Sequence, residues 1–112
     1  MTTTHSSVPE DPAFRTVSPG VELCALRRHA DRGLTFMIRM APGAHAPLHD
    51  HPGGEETYLI SGALRIGDRQ LLPGDYYYAP PGEIHEGHAA EHGAVFFVVA
   101  PGGIVPIVPI VR

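Results

Sequence analysis

Eight histidines are spread through 112 residues, and two of them, His49 and His51, stand one residue apart. On an extended segment such a pair points to the same face with Cα atoms about 6.6 Å apart, near enough for both imidazoles to converge on one cation. Pro52-Gly53-Gly54 follows at once. Glycine tolerates the φ > 0 conformations that other residues avoid, so the backbone can turn tightly there and bring in a carboxylate from Glu55 or Glu56 as a third ligand. Imidazole together with carboxylate suits a first-row divalent metal.

The spacing around these residues says more than the residues alone. Gly43 precedes His49 with five residues between, Glu55 follows His51 with three between, and Gly62 follows Glu55 with six between. A second run reads Gly74-x5-Pro80-x-Gly82-x2-His85. Together the runs resemble the two motifs of the cupin superfamily, G-x5-H-x-H-x3,4-E-x6-G and G-x5-P-x-G-x2-H-x3-N, at every fixed position but the last, where Ala89 replaces asparagine. The resemblance covers roughly residues 33 to 100. It implies one divalent metal ion per chain (Fe, Zn, Mn or Ni) held by His49, His51, Glu55 and His85. The six-residue gap to Gly62 favours Glu55 over Glu56.

Three imidazoles and one carboxylate leave an octahedral ion two open cis positions, where a bidentate substrate or O₂ could bind. Around tetrahedral zinc the same four ligands form a closed site. The ligand set therefore leaves the metal, and with it catalysis, open.

The elements that must position these residues are short apolar runs separated by Gly, Pro and Asp. Candidate strands are Val21 to Leu26, Leu34 to Met40, Ala44 to His51, Glu55 to Ser61, Ala63 to Ile66, Arg69 to Leu72, Tyr76 to Ala79, Glu83 to His88, Ala94 to Ala100 and Ile104 to Val111. No stretch has a helical period of useful length. Many short strands at near-regular spacing predict an all-β sandwich or barrel, and the double-sheet jelly roll implied by the cupin resemblance accounts for the pattern. At 12.0 kDa the chain is read as a single domain: a flexible polar tail over 1–12, a barrel over 13–103 and an apolar edge segment over 104–112. In the strand from Glu55, alternation puts Glu55, Thr57 and Leu59 on one face and Glu56, Tyr58 and Ile60 on the other.

Composition narrows the partners. The net charge is -4 and the eight basic residues are scattered arginines, which argues against nucleic acid. Met1 to Ser7 has no apolar core of the kind a signal peptide needs, and no apolar run reaches membrane-spanning length. A lone cysteine, Cys24, cannot form an internal disulfide and is read as a small apolar core residue. The expected location is the cytoplasm.

The remaining candidates are weaker. His45 lies four residues before His49 and on an uninterrupted strand would face the same way, lining the pocket. His88 and His92 fall in Glu86-Gly-His-Ala-Ala-Glu-His-Gly93, read as an exposed loop. His5 is read as solvated within the tail. Tyr76-Tyr77-Tyr78 must split between two faces, with a hydroxyl able to reach the cavity from one of them. The run Ile104-Val-Pro-Ile-Val-Pro-Ile-Val111 lacks amide donors at its prolines, so it can only be an edge strand or polyproline-like segment. It either covers its own barrel edge or packs on a second copy in a homodimer, the latter being the expectation.

Two functions follow from the resemblance. One is a mononuclear non-haem metal oxidoreductase, similar to the single-domain cupin dioxygenases that act on diketones or related small oxygenated molecules. The other is a non-catalytic zinc- or ligand-sensing module. His-x-His-Pro-Gly-Gly-Glu-Glu followed by Pro-Pro-Gly-x2-His-Glu-Gly closely resembles the zinc-binding cupin half of ChrR-type bacterial anti-sigma factors, whose matching ligands are His, His, Glu and His. Those proteins also carry an N-terminal helical zinc domain, for which this sequence lacks the length and the cysteines, so an anti-sigma factor itself is not expected. A sugar isomerase reading lacks the cluster of Arg and Lys that a phosphate or nucleotide-sugar substrate would require.

Overall fold

The computed structural model describes residues 13–106 and contains strands and turns with no helix among them. Nine strands run in order: β1 (Arg15–Ser18), β2 (Val21–Arg28), β3 (Leu34–Met40), β4 (His45–Asp50), β5 (Glu55–Ile66), β6 (Arg69–Leu71), β7 (Tyr76–Ala79), β8 (His85–Ala100) and β9 (Val105–Pro106). All pairings are antiparallel, and the strands close nearly into a barrel, the jelly-roll architecture predicted above.

Two long strands organise the barrel. β5 and β8 pair with each other from Glu56↔Val99 at one end to Ile66↔Gly87 at the other. On its far edge β8 takes two partners in turn, β4 along its first residues and β3 from Ala94 to Ala100. β5 does the same with β7 and then β6.

The sequence reading had divided each of these long strands in two. The structure keeps them continuous, because the glycines that looked like breaks are bends within the ladder. Gly62 and Gly93 both have positive φ, 80° and 79°, and the β5–β8 register shifts on each side of Ser61-Gly62. A side chain on Gly62 would run into the carbonyl oxygen of Gly93 across the ladder. A bulge of this kind bends a strand and increases its twist without ending it. The stretch from Glu86 to Gly93, expected as an exposed loop, is therefore part of β8. Strand β1, with exposed Arg15, Thr16 and Val17, carries too little apolar pattern to have been expected.

Inward-facing residues fill the interior: Phe36, Leu59, Leu64 and Val98 are each no more than 1% exposed. Burying a side chain of this size stabilises by about 1.5–3 kcal/mol. Cys24 is likewise buried and free. β9 pairs with β4 at the end of the sheet, Asp50↔Val105 and His49↔Pro106. Proline is tolerated there because an edge position can leave its missing donor unpaired. The tail over 1–12, with His5, and the run from 107 onward lie outside the described residues. Among the described residues no helix is long and apolar enough to cross a membrane.

Candidate metal centre

His49, His51, Glu55 and His85 come together at one end of the barrel interior, each offering a ligand atom within 4.8 Å of the others. They arrive from three strands and a turn. His49 on β4 and His85 at the start of β8 are direct cross-strand partners. Glu55 opens β5. His51 lies in the turn between β4 and β5, closed by a 2.8 Å hydrogen bond from the Gly54 amide to the His51 carbonyl, with Gly54 at φ 84°. The alternation predicted for β5 holds: Glu55, Thr57 and Leu59 are buried while Glu56, Tyr58 and Ile60 are exposed. Glu56 instead accepts a 2.8 Å hydrogen bond from the Tyr76 hydroxyl on the outside.

The cluster is nearly dry: His51 is 0% exposed, Glu55 5% and His85 7%. The Glu55 carboxylate sits 3.4 Å from His85 Nε2 and 3.8 Å from His49 Nε2. Burial alone would push its carboxyl up, but hydrogen bonding to His49 and His85 outweighs this and holds it at about 2. For His49 the balance also favours charge: burial pulls its pKa down, yet hydrogen bonds to Glu55 and the Pro47 carbonyl leave it raised. Burial dominates at His51, whose pKa is lowered.

One ring orientation is set from behind, and a second ring has a carboxylate near its rear nitrogen. His49 Nδ1 lies 3.1 Å from the Pro47 carbonyl oxygen. A carbonyl only accepts, so Nδ1 carries the proton and Nε2 is left to face the cluster. His85 Nδ1 lies 3.5 Å from Glu83 Oε2, an ion-pair distance that leaves Nδ1 without a hydrogen-bond partner, and Glu83 in turn accepts a hydrogen bond from the Tyr77 hydroxyl. Burial and that carboxylate raise the Tyr77 phenol to about 12, so it remains a donor. This Tyr77–Glu83–His85 chain was missed in the sequence. The middle residue of the tyrosine run does turn inward, but nothing local marks Glu83 as its acceptor.

A metal ion fits what these residues leave unmet. Both ring nitrogens of the fully buried His51 lack a hydrogen-bond partner, a costly arrangement unless another group satisfies them. A cation among three imidazoles and an ionised carboxylate would satisfy the ring nitrogen that faces it.

The expectation for His45 is corrected. Between Ala46 and His49 the β4–β8 register slips, so that five residues from His45 to His49 oppose four from His88 to His85. One extra residue reverses the facing of all that follow. His49 consequently points in, while His45 points out and pairs with Glu86 at 3.0 Å.

The cluster opens onto a cavity of about 490 Å³ whose wall is largely aliphatic and aromatic, including Leu23, Phe36, Ile38, Leu64 and Phe96. Arg28 and Arg32 are the cationic side chains along it.

A jelly-roll barrel with a buried His/Glu cluster at its open end defines a cupin with a candidate metal site. The chain belongs to the family described as the ChrR cupin-like domain, whose model matches residues 4–102. It is similar to oxalate decarboxylase OxdC of Bacillus subtilis, at 35% identity across 59% of this chain and 20% of that one. Among solved structures it resembles Rhodobacter sphaeroides SigE in complex with the anti-sigma ChrR, with TM-score 0.73 and 24% identity over 81% of this chain and 50% of that chain. It also resembles an RmlC-like cupin from Ralstonia eutropha, with TM-score 0.81 and 16% identity over 98% and 78%. The chain thus spans about a fifth of the curated relative and half of the ChrR complex chain. At these identities the structural likenesses establish the fold.

Proposed function

We propose that His49, His51, Glu55 and His85 hold one divalent metal ion, and that the chain is a small mononuclear metal oxidoreductase of the dioxygenase-like kind. Its substrate would be a small, largely apolar molecule bearing oxygen donors. The observation that carries this reading is the cavity: the cluster forms part of the wall of an apolar chamber of about 490 Å³. Concave, mostly apolar sites with a few convergent polar groups are where small molecules bind. A bound divalent ion would supply Lewis acidity and open coordination positions.

The chain's own residues supply the rest. The Pro47 carbonyl fixes the ring of His49 from behind, which sets where its Nε2 points, and the Glu83 carboxylate lies close enough to His85 Nδ1 to accept its hydrogen bond when the ring coordinates metal. The wall formed by Phe36, Ile38, Leu64 and Phe96 excludes water from the substrate's body. Arg28 and Arg32 offer donors to an oxygen on the substrate's far end.

A second reading, a non-catalytic zinc- or ligand-sensing module, is favoured by the family match itself. Metal analysis of protein purified without added metal separates the two. Iron, manganese or nickel with substrate-dependent O₂ uptake supports the oxidoreductase. Stoichiometric zinc with no exchangeable ligand and no O₂ uptake supports the sensor.

A further inference from the structure

On the outer surface of the barrel, at the same level of β8, a second group of metal-ligating side chains converges. His45 Nε2 lies 3.0 Å from one carboxylate oxygen of Glu86, and His88 Nε2 lies 3.4 Å from the other. The two imidazoles are 4.5 Å apart between ring centroids and tilted by 35°. One ligand atom from each of the three residues falls within 4.8 Å of the others. Tetrahedral donors around a zinc-sized ion stand about 3.3 Å apart, given bond lengths of roughly 2.0–2.2 Å, so small side-chain movements would close this group on a cation.

The backbone places these residues. His45 and His88 are direct cross-strand partners, and Glu86 shares the outer face of β8 with His88, two residues away. His85 and Glu86 are consecutive and so point to opposite sides of the sheet, which keeps the outer group separate from the interior cluster. The same β4 bulge that turns His49 inward leaves His45 outside to complete it.

We propose that His45, Glu86 and His88 form a second, surface site for a divalent ion of the zinc, copper or nickel class. Two imidazoles and one carboxylate match the preference of those ions. The three side chains are between 34% and 46% exposed, so solvent completes the coordination and the ion exchanges readily. Arg65 is the cationic side chain opposite His88 in the β5–β8 register. Its guanidinium is drawn away to the Gly67 carbonyl at 3.3 Å.

The test is a zinc chloride titration of the full, untagged chain by calorimetry, checked by equilibrium dialysis. The wild type is expected to take up two equivalents, the second more weakly. His45→Ala and His88→Ala should each weaken the second equivalent by about tenfold or more and leave the first unchanged. His51→Ala should lose the first and keep the second, so failure of the interior site is distinguishable from failure of this one. His92→Ala, a substitution on the same strand, should change neither. With copper, electron paramagnetic resonance of the His51→Ala protein should show two nitrogen ligands. Uptake of one equivalent only by the wild type would overturn the proposal, as would a second equivalent bound equally well by His45→Ala and His88→Ala.

Discussion

His49 and His85 face each other directly across β4 and β8, with ring centroids 4.7 Å apart and planes nearly perpendicular at 87°. Between Ala46 and His49 β4 carries one residue more than its partner, which is why His45 and His49, four residues apart, face opposite sides. Deleting Leu48 would restore plain alternation and leave His49 three residues after the outward His45, still inward and opposite His85. Metal content of the deletion protein should stay near one per chain while far-ultraviolet circular dichroism still reports a β fold. Metal content well below one would show that the extra residue is itself needed to hold His49 in the cluster.

The contact between His85 and Glu83 gives a second prediction. Groups that orient a metal-binding histidine from behind typically contribute 10–100-fold to affinity. Glu83→Gln should therefore weaken metal binding by roughly tenfold or more, with a thermal transition in the metal-free protein close to that of the wild type. Tyr77→Phe should act in the same direction and more weakly, since it removes only the donor to Glu83. An unchanged dissociation constant in Glu83→Gln would sink the orienting role.

How far the sequence alone reached can be judged from these residues. The motif spacing singled out His49, His51, Glu55 and His85, and the structure does bring these four together. The alternation of β5 was also legible, because one face of that strand is buried and a period of two leaves a clear apolar pattern. The β4 bulge was not, since a one-residue slip depends on what the opposite strand does. Gly62 and Gly93 read as strand ends because their positive φ is shared with turns, and only their approach across the ladder shows that they bend continuous strands. Glu83 was invisible as a partner of Tyr77 and His85, because the turn at Pro80-Pro81-Gly82 decides where it lands.

Gly62 offers a stability test of that bend. An alanine there would combine positive φ with a collision against the Gly93 carbonyl. Gly62→Ala should lose about 2 kcal/mol or more of unfolding free energy, read from urea denaturation. Gly67→Ala, at φ 59° with open space around the new methyl group, should lose less. Equal losses would mean that the close approach at Gly62 contributes nothing.

The titration behaviour of the interior cluster gives a fourth. Glu55 is held at about 2, below its ordinary value of 4.5. In the metal-free protein its contribution to stability is therefore fully present above pH 4.5 and is lost as pH falls from 4.5 towards 2. Glu55→Gln should flatten the acid limb of a urea-stability profile across that window; an unchanged slope would contradict the assignment. The raised pKa of His49 acts oppositely, adding stability below pH 6.5 that is lost as pH rises through its folded value. Metal must displace that proton, so affinity should begin to fall already above pH 6.5, as pH drops through the raised His49 value, and should keep falling below it.

The central claim, one divalent ion held by four named residues, is tested most directly by measuring metal content per chain in a single set of purified variants. The account predicts about one ion in the wild type and in Glu56→Gln, and well below one in His51→Ala, His85→Ala and Glu55→Gln, all with the β fold retained. Zinc titration separates any ion bound at the outer histidines, because that site survives His51→Ala. Tight interior metal at full occupancy in both His51→Ala and His85→Ala would contradict the account.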